Sequence, residues 1–302
     1  MEKFTLVINS GRSGSTYLYK ILEKNFSHLA YIAHEDMPAR ISLPRKYNRA
    51  YDETSIKEIL KDPQIADYLH KWQDELKSKS VIETGWTARH LAPVLLYVFK
   101  EKFQYIILHR HPMEVAASRA TMGAYHERSF FKGFNELSPL DPKSIYPQKK
   151  AAWNKMNRFE KSLYNWYAAY SEAFEFQEKY PDVPCLEITS KSLFERESIS
   201  SIIDFLGFNS STDIQTDVDK NPATKRLQES FPLEEEWRDY KKHQDIIDFA
   251  GNLGYEFHDN KLEKKMSKYK LPKGVLPWFR YHTKFWFYRT AIKRRLLRTE
   301  HN

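Results

Sequence analysis

The stretch FTLVINSGRSGST, residues 4–16, decides how this chain is read. Phe4 to Ile8 is a short apolar run with β-branched members, the pattern of a buried strand. Asn9 to Ser15 is a Gly/Ser loop with one arginine in it. From Thr16 to Lys24 a helix is predicted, because Leu18, Ile21 and Leu22 fall on one face. Glycine lets a backbone come close to a ligand. A helix N-terminus offers unpaired N–H groups and a partial positive charge. Ser13, Ser15 and Thr16 add hydroxyl donors, and Arg12 adds a charged fork. Gly11, Arg12, Ser13, Gly14, Ser15 and Thr16 are therefore expected to cradle a phosphate. An ordinary Ser/Gly turn with a helix cap competes with this, but the strand before, the helix after and the embedded Arg12 weigh against it. Gly14 is followed by Ser15 rather than lysine, so the loop lacks the key residue of a classical ATP or GTP hydrolase.

Outward from this unit, apolar runs recur. Ala30 to Ala33, Val81-Ile82, Phe103 to Leu108 and Val183 to Ile188 are strand candidates. Leu91 to Phe99, a segment starting near Pro112, Phe159 to Glu178 and Ile199 to Leu206 are helix candidates. Strands alternating with helices predict an α/β fold in three layers: a central, mostly parallel sheet with helices on both faces. Ligands of such sheets bind beyond the carboxyl ends of the strands. The Gly/Ser loop falls there, and so does His109-Arg110-His111-Pro112. Arg110 stands just past a strand, and Ser118 lies about two turns into the next helix. Alone, Arg110 would be expected to pair with a carboxylate and Ser118 to be a small packing residue. Beside the first loop, they form a second anion site.

These two segments resemble the sulfotransferase family, which takes its sulfuryl group from 3′-phosphoadenosine 5′-phosphosulfate (PAPS). Ser-Gly-Arg-Ser-Gly-Ser-Thr, residues 10–16, looks like that family's P-loop-like 5′-phosphosulfate loop. Leu-His-Arg-His-Pro followed by Ser118 looks like its 3′-phosphate motif. Many members have Lys where this chain has Arg12; protein-tyrosine and several bacterial sulfotransferases use Arg, so the bacterial or carbohydrate type is the nearer match. Members often have Arg-Asp-Pro where this chain has Arg110-His111-Pro112, with little loss expected because the arginine is the ligand. The resemblance spans roughly residues 4–258 and is weak over 38–80 and 120–160. It implies PAPS as donor, 3′,5′-ADP as product, no metal, and a hydroxyl-bearing acceptor, with a carbohydrate or glycolipid first.

An attacking hydroxyl must lose a proton, and a carboxylate or His within reach can take it. Glu35, His34, Glu83 and His126 are the candidates. Carbohydrate and tyrosyl sulfotransferases resemble this chain in placing a catalytic Glu about twenty residues after the cradle, which favours Glu35, with His34 next. Glu83 could act as base or hold the acceptor, but for Glu83, His34 and His126 alike, capping a loop or pairing with Arg89 or Arg40 is the favoured expectation. The implied mechanism is in-line displacement at sulfur, with Arg12 countering charge on the leaving phosphate. A nucleotide kinase or related phosphotransferase shares the cradle, but should want a lysine after Gly14 and a Mg²⁺-holding Asp. A non-catalytic protein of the same fold, binding a nucleotide or a membrane, is the remaining alternative. The loop at 123–150 and the aromatic helix at 159–178 are expected to shape the acceptor site.

With 302 residues and 41% apolar composition, one large α/β domain is expected over residues 1–260, followed by a basic aromatic tail over 261–302. That tail holds eight Lys and five Arg against two Glu, a net of +11, which leaves −3 on the body out of the formal +8. The basicity argues for contact of the tail with an anionic membrane surface, against a helix packed on the body, and gives little support to nucleic acid. Cys185 is the sole cysteine, and no run of about 18 apolar residues exists. A cytoplasmic protein, peripheral at the membrane through its tail, is the expectation. Neither the acceptor nor the oligomeric state is legible.

Overall fold

In the computed structural model, residues 2–36, 49–126, 138–141, 144, 146–208, 214–218 and 231–270 are described. Five strands form one wholly parallel sheet in the order β2-β3-β1-β4-β5. They are β1 (Phe4–Ile8), β2 (Ala30–Ala33), β3 (Ser80–Glu83), β4 (Phe103–His109) and β5 (Cys185–Thr189). The central strand β1 has all five residues buried, as expected for a strand covered on both faces.

Alternation along the strands divides the core in two. Phe4, Leu6 and Ile8 of β1 point to one side with Phe103, Tyr105 and Ile107 of β4. Val7 points to the other side with Ile106 and Leu108. Helix α1 (Ser15–Phe26) covers that second face through Tyr17, Leu18, Ile21 and Leu22, together with Ile199, Ile202 and Ile203 of a later helix. The first face is covered by α2 (Glu53–Leu60), α3 (Pro63–Glu75), α4 (Ala92–Phe99), α5 (Pro112–Thr121) and α6 (Arg158–Lys179). The three-layer α/β arrangement read from the sequence is the one observed.

Chain order explains where a ligand goes. From β1 the chain steps outward to β2, returns to β3, and then crosses β1 to β4. The loops leaving β1 and β4 thus open at the point where the winding reverses, the crevice that such sheets use for ligands. Asn9 fixes the rim. Its buried amide donates to the carbonyls of Val7 (3.1 Å) and Thr84 (3.2 Å) and accepts from the Gly11 N–H (2.9 Å).

In the aromatic helix α6, Phe159, Trp166, Tyr170 and Phe176 are buried in the first-face core, and Tyr164 packs with Trp153 and Met156. A helix over Asp259–Ser267 crosses residue 261, and Leu262, Met266 and Tyr269 are buried against the first-face core. The chain keeps the character of the body through Lys270. Residues 271–302, which carry the remaining tail aromatics, lie outside the described residues, as does most of the 123–150 loop. Among the described residues, no helix is long and apolar enough to cross a membrane.

Candidate active site

The cradle leaves β1 through a backbone that few sequences tolerate. Gly11 (φ 72°), Arg12 (φ 60°) and Gly14 (φ 98°) all lie in the left-handed region. For Arg12 this costs free energy, and such strain collects at functional sites. Gly14 is also the cap residue of α1, with no side-chain cap and no acidic residue in the first turn. The first N–H groups of α1 therefore face the crevice free of any local anion, a ready position for a phosphate.

The hydroxyls of the loop do different work from that expected. Ser13 is buried, and its Oγ bonds to Ser10 Oγ (3.1 Å), to the Gly11 carbonyl (3.3 Å) and to the Tyr170 hydroxyl (3.0 Å). It braces the loop from inside. Thr16 is committed as well, and the proton count shows how. Thr84 gives its one hydroxyl proton to the Ala33 carbonyl (2.9 Å), so it accepts from His34 Nδ1–H (2.9 Å). His34 Nε2 is then the unprotonated nitrogen and accepts the Thr16 hydroxyl at 3.0 Å. Burial lowers the His34 pKa, in keeping with this neutral ring. His34 thus spends its lone pair on α1 and is not free to take a proton from a ligand.

Tyr170 is the hub beneath the cradle. Its hydroxyl donates to the Leu108 carbonyl (2.8 Å) and receives bonds from the N–H (3.4 Å) and Oγ (3.3 Å) of Ser10. One turn earlier on α6, Trp166 Nε1 donates to the Arg110 carbonyl at 2.9 Å. A single helix therefore supports both anion loops. Replacing Tyr170 by Phe leaves a buried carbonyl and several hydroxyls short of partners. Stability measured by urea denaturation is expected to fall by about 1–3 kcal/mol; an unchanged midpoint would show the hub to be dispensable.

Arg110 and Ser118 do meet the cradle, both through Arg12. Arg12 Nε donates to Ser118 Oγ at 3.0 Å, and Arg110 Nη1 donates to the Arg12 carbonyl at 3.3 Å. Arg119, which sequence reasoning missed, joins them by donating from Nη1 to the Ser10 carbonyl (3.0 Å). It follows Ser118 directly in the sequence, so helical spacing gave no sign that it also reaches the cradle. Burial and then the charge of Arg110 lower the Arg12 pKa to about 10, with Tyr269 opposing and Arg119 adding to the drop. Among the described residues Arg12 has no ion-pair partner; the charges of Arg110 and Arg119 act on it, with that of Glu35 opposing.

His111 clarifies the Arg-His-Pro variant. Its Nδ1 accepts the Met113 N–H (3.3 Å) as the cap of α5, which leaves Nε2–H to donate to the Glu256 carbonyl (3.1 Å). Burial, with Lys265 nearby, lowers its pKa to about 4. The residue caps the helix as an aspartate would. A cleft of about 570 Å³ opens beside Arg110, walled by Thr189, Phe194, Leu253, Tyr255 and Lys265 among others.

Across the crevice lies Glu35, in the left-handed region at φ 58° and exposed to solvent. Desolvation raises its pKa, against a hydrogen bond from Trp86 and the charge of Arg12. Its backbone is held by Glu83, which is fully buried and accepts N–H bonds from Glu35 (3.0 Å), Asp36 (3.3 Å) and Gly85. Burial pushes Glu83 up to about 7, with those three bonds pulling the other way. Of the two readings of Glu83, the favoured one, a loop cap, is the one seen: its oxygens are taken up by the loop, and it positions Glu35. His126 packs against Phe231 in a tilted arrangement with ring centroids 4.3 Å apart. Among the described residues no three His, Cys, Asp or Glu side chains are grouped to hold a metal.

No family model matches the chain, and no curated protein matches it. Solved structures do. A sulfotransferase domain from the curacin biosynthetic pathway aligns over 85% of this chain and 99% of its own, at 16% identity and a TM-score of 0.51. The sulfotransferase domain of the Synechococcus PCC 7002 olefin synthase covers 85% of this chain and 98% of its own, at 16% identity and a TM-score of 0.47. A sulfotransferase from Alicyclobacillus acidocaldarius covers 76% and 91%, at 12% identity and 0.44. The curacin domain is matched along nearly its whole length, so this five-stranded parallel sheet with its flanking helices is the sulfotransferase fold.

Proposed function

We propose that the chain transfers a sulfuryl group from PAPS to a hydroxyl acceptor, releasing 3′,5′-ADP. The meeting of two anion loops at Arg12 carries this reading: one side chain bonds Ser118, and its own carbonyl receives Arg110. A nucleotide phosphorylated at both ends of its ribose uses both loops, whereas one phosphorylated only at the 5′ end leaves the second idle.

The residues fit such a donor. The first turn of α1 has neither a side-chain cap nor an acidic neighbour, and Arg12 lies among cations. When bound, PAPS supplies an electrophilic sulfur already activated for displacement. The chain's own work is then positioning and charge stabilisation. The N–H groups of Gly14 and Ser15 hold the 5′-phosphate, and Arg12 counters the charge growing on its bridging oxygen. Arg110 and Ser118 hold the 3′-phosphate, and the cleft beside Arg110 takes the nucleoside. Glu35 accepts the acceptor's proton. Its exposed position suits a hydroxyl on a larger molecule arriving from solvent, so a carbohydrate or glycolipid is the acceptor class we favour.

The phosphotransferase alternative loses a further point. The hydroxyl that would hold Mg²⁺ in a nucleotide kinase, at Thr16, is donated to His34. Calorimetry separates the two. Without metal, 3′,5′-ADP is expected to bind tighter than ADP by roughly a hundredfold, the scale of two charge-assisted hydrogen bonds. Equal affinity for ADP with Mg²⁺ would overturn the proposal.

A further inference from the structure

Arg110, Glu114 and Ser118 follow at intervals of four residues, so the three lie in one stripe where the chain enters and climbs α5. An anion held between Arg110 and Ser118 must therefore sit over Glu114. That residue is a carboxylate, and it already engages Arg110 at 3.1 Å. Left alone, it would repel a phosphate and compete for the guanidinium meant to hold it.

It is not left alone. Lys268 reaches Glu114 Oε1 at 2.8 Å, and Lys265 stands 3.9 Å from Oε2. Tyr269 OH donates to the Glu114 carbonyl at 3.4 Å. All three come from the segment that follows Asp259, which is fastened to the body by buried Leu262, Met266 and Tyr269. Against burial, which pushes it up, Arg110, Lys268 and Lys265 hold the Glu114 carboxyl down at about 2. Glu114 is thus ionised at any working pH and shared between the anion-binding arginine and two lysines of the C-terminal segment.

We propose that Lys268, aided by Lys265, is a specificity-determining residue for the nucleotide's second phosphate: it shares the Glu114 oxygen that Arg110 contacts and holds that carboxylate when a phosphate monoester takes Arg110 over. The inference rests on the nucleotide reading above and deepens it. Lys268 and Lys265 are both substantially exposed, so their pairs with Glu114 add little to stability by themselves. Their effect shows when a dianion enters, because three cations then offset one carboxylate plus the incoming charge.

The test compares 3′,5′-ADP with 5′-AMP by calorimetry, since the two differ only in the phosphate at issue. Lys268→Met is expected to weaken 3′,5′-ADP by about tenfold, the scale of one partly screened charge pair, and to leave 5′-AMP unchanged. Adding Glu114→Gln to that variant is expected to restore most of the loss, because the competing charge is gone. A purely structural role would weaken both nucleotides alike, and Glu114→Gln would not rescue it; either result overturns the proposal. Wild-type protein that binds 3′,5′-ADP no better than 5′-AMP would bring down the nucleotide reading itself. Tight wild-type binding with an unaffected Lys268→Met would sink this inference alone.

Discussion

Glu35→Gln is expected to lower turnover by roughly a thousandfold while 3′,5′-ADP binds as it does to the wild type. The substitution keeps the shape and polarity of the side chain and removes only its ability to take a proton. Glu35 is not among the groups proposed to hold either phosphate, so the nucleotide should keep its direct contacts in this variant. The pH profile adds a second check. Desolvation raises the Glu35 pKa above its ordinary value, and a base works only when deprotonated. Turnover should therefore fall as pH drops through that raised value, with the acid limb standing above 4.5. In the Gln variant this limb should vanish from whatever activity remains. Full activity in Glu35→Gln would reassign the base, and His34 is a poor successor because its free nitrogen is occupied by Thr16.

Gly85→Ala is expected to cost both activity and stability, although residue 85 contacts no ligand. A Cβ there would come within 2.4 Å of the Glu35 nitrogen, 2.6 Å of the Glu35 Cα and 2.7 Å of Glu83 Oε1. Two of these atoms are backbone, so no side chain can swing aside. Glu35 already holds a left-handed conformation maintained by Glu83, and displacing it breaks that bond. Overpacking of this kind costs about 1–3 kcal/mol. Turnover should fall by more than a hundredfold because the base is moved from its proton. Donor affinity should change far less, since the Gly85 turn belongs to the β3 side of the crevice and the phosphate loops to the β1 and β4 side. Near-wild-type turnover in Gly85→Ala would mean that the placement of Glu35 is not critical.

The sheet was legible because burial on both faces forces a dense apolar code. Phe4 to Ile8 and Phe103 to Leu108 can hardly be anything but buried strands, and the loops after them carry unusual residues. The same logic exposed Arg12 and Arg110 as neighbours, since parallel adjacent strands bring their following loops together. What the sequence concealed is work done by side chains turned inward. Ser13 looks like a phosphate donor while its hydroxyl braces the loop, and Tyr170 looks like one more core aromatic and anchors the cradle. No local pattern separates these roles, because each depends on contacts between residues far apart in the sequence, up to 160 positions between Ser10 and Tyr170. The segment at 261–270 stayed open in the sequence for a different reason. Its lysines dominate the composition, while three apolar side chains, Leu262, Met266 and Tyr269, do the packing.

Trp166 and Tyr170 hang the two anion loops from neighbouring turns of one rod, about 6 Å apart along its axis. A rod does not stretch, so the gap between the loops is a ruler cut to one length. If the proposed nucleotide binds there, a ligand whose charges are spaced differently should gain no second foothold by distorting the protein, and selection should turn on length as much as on charge.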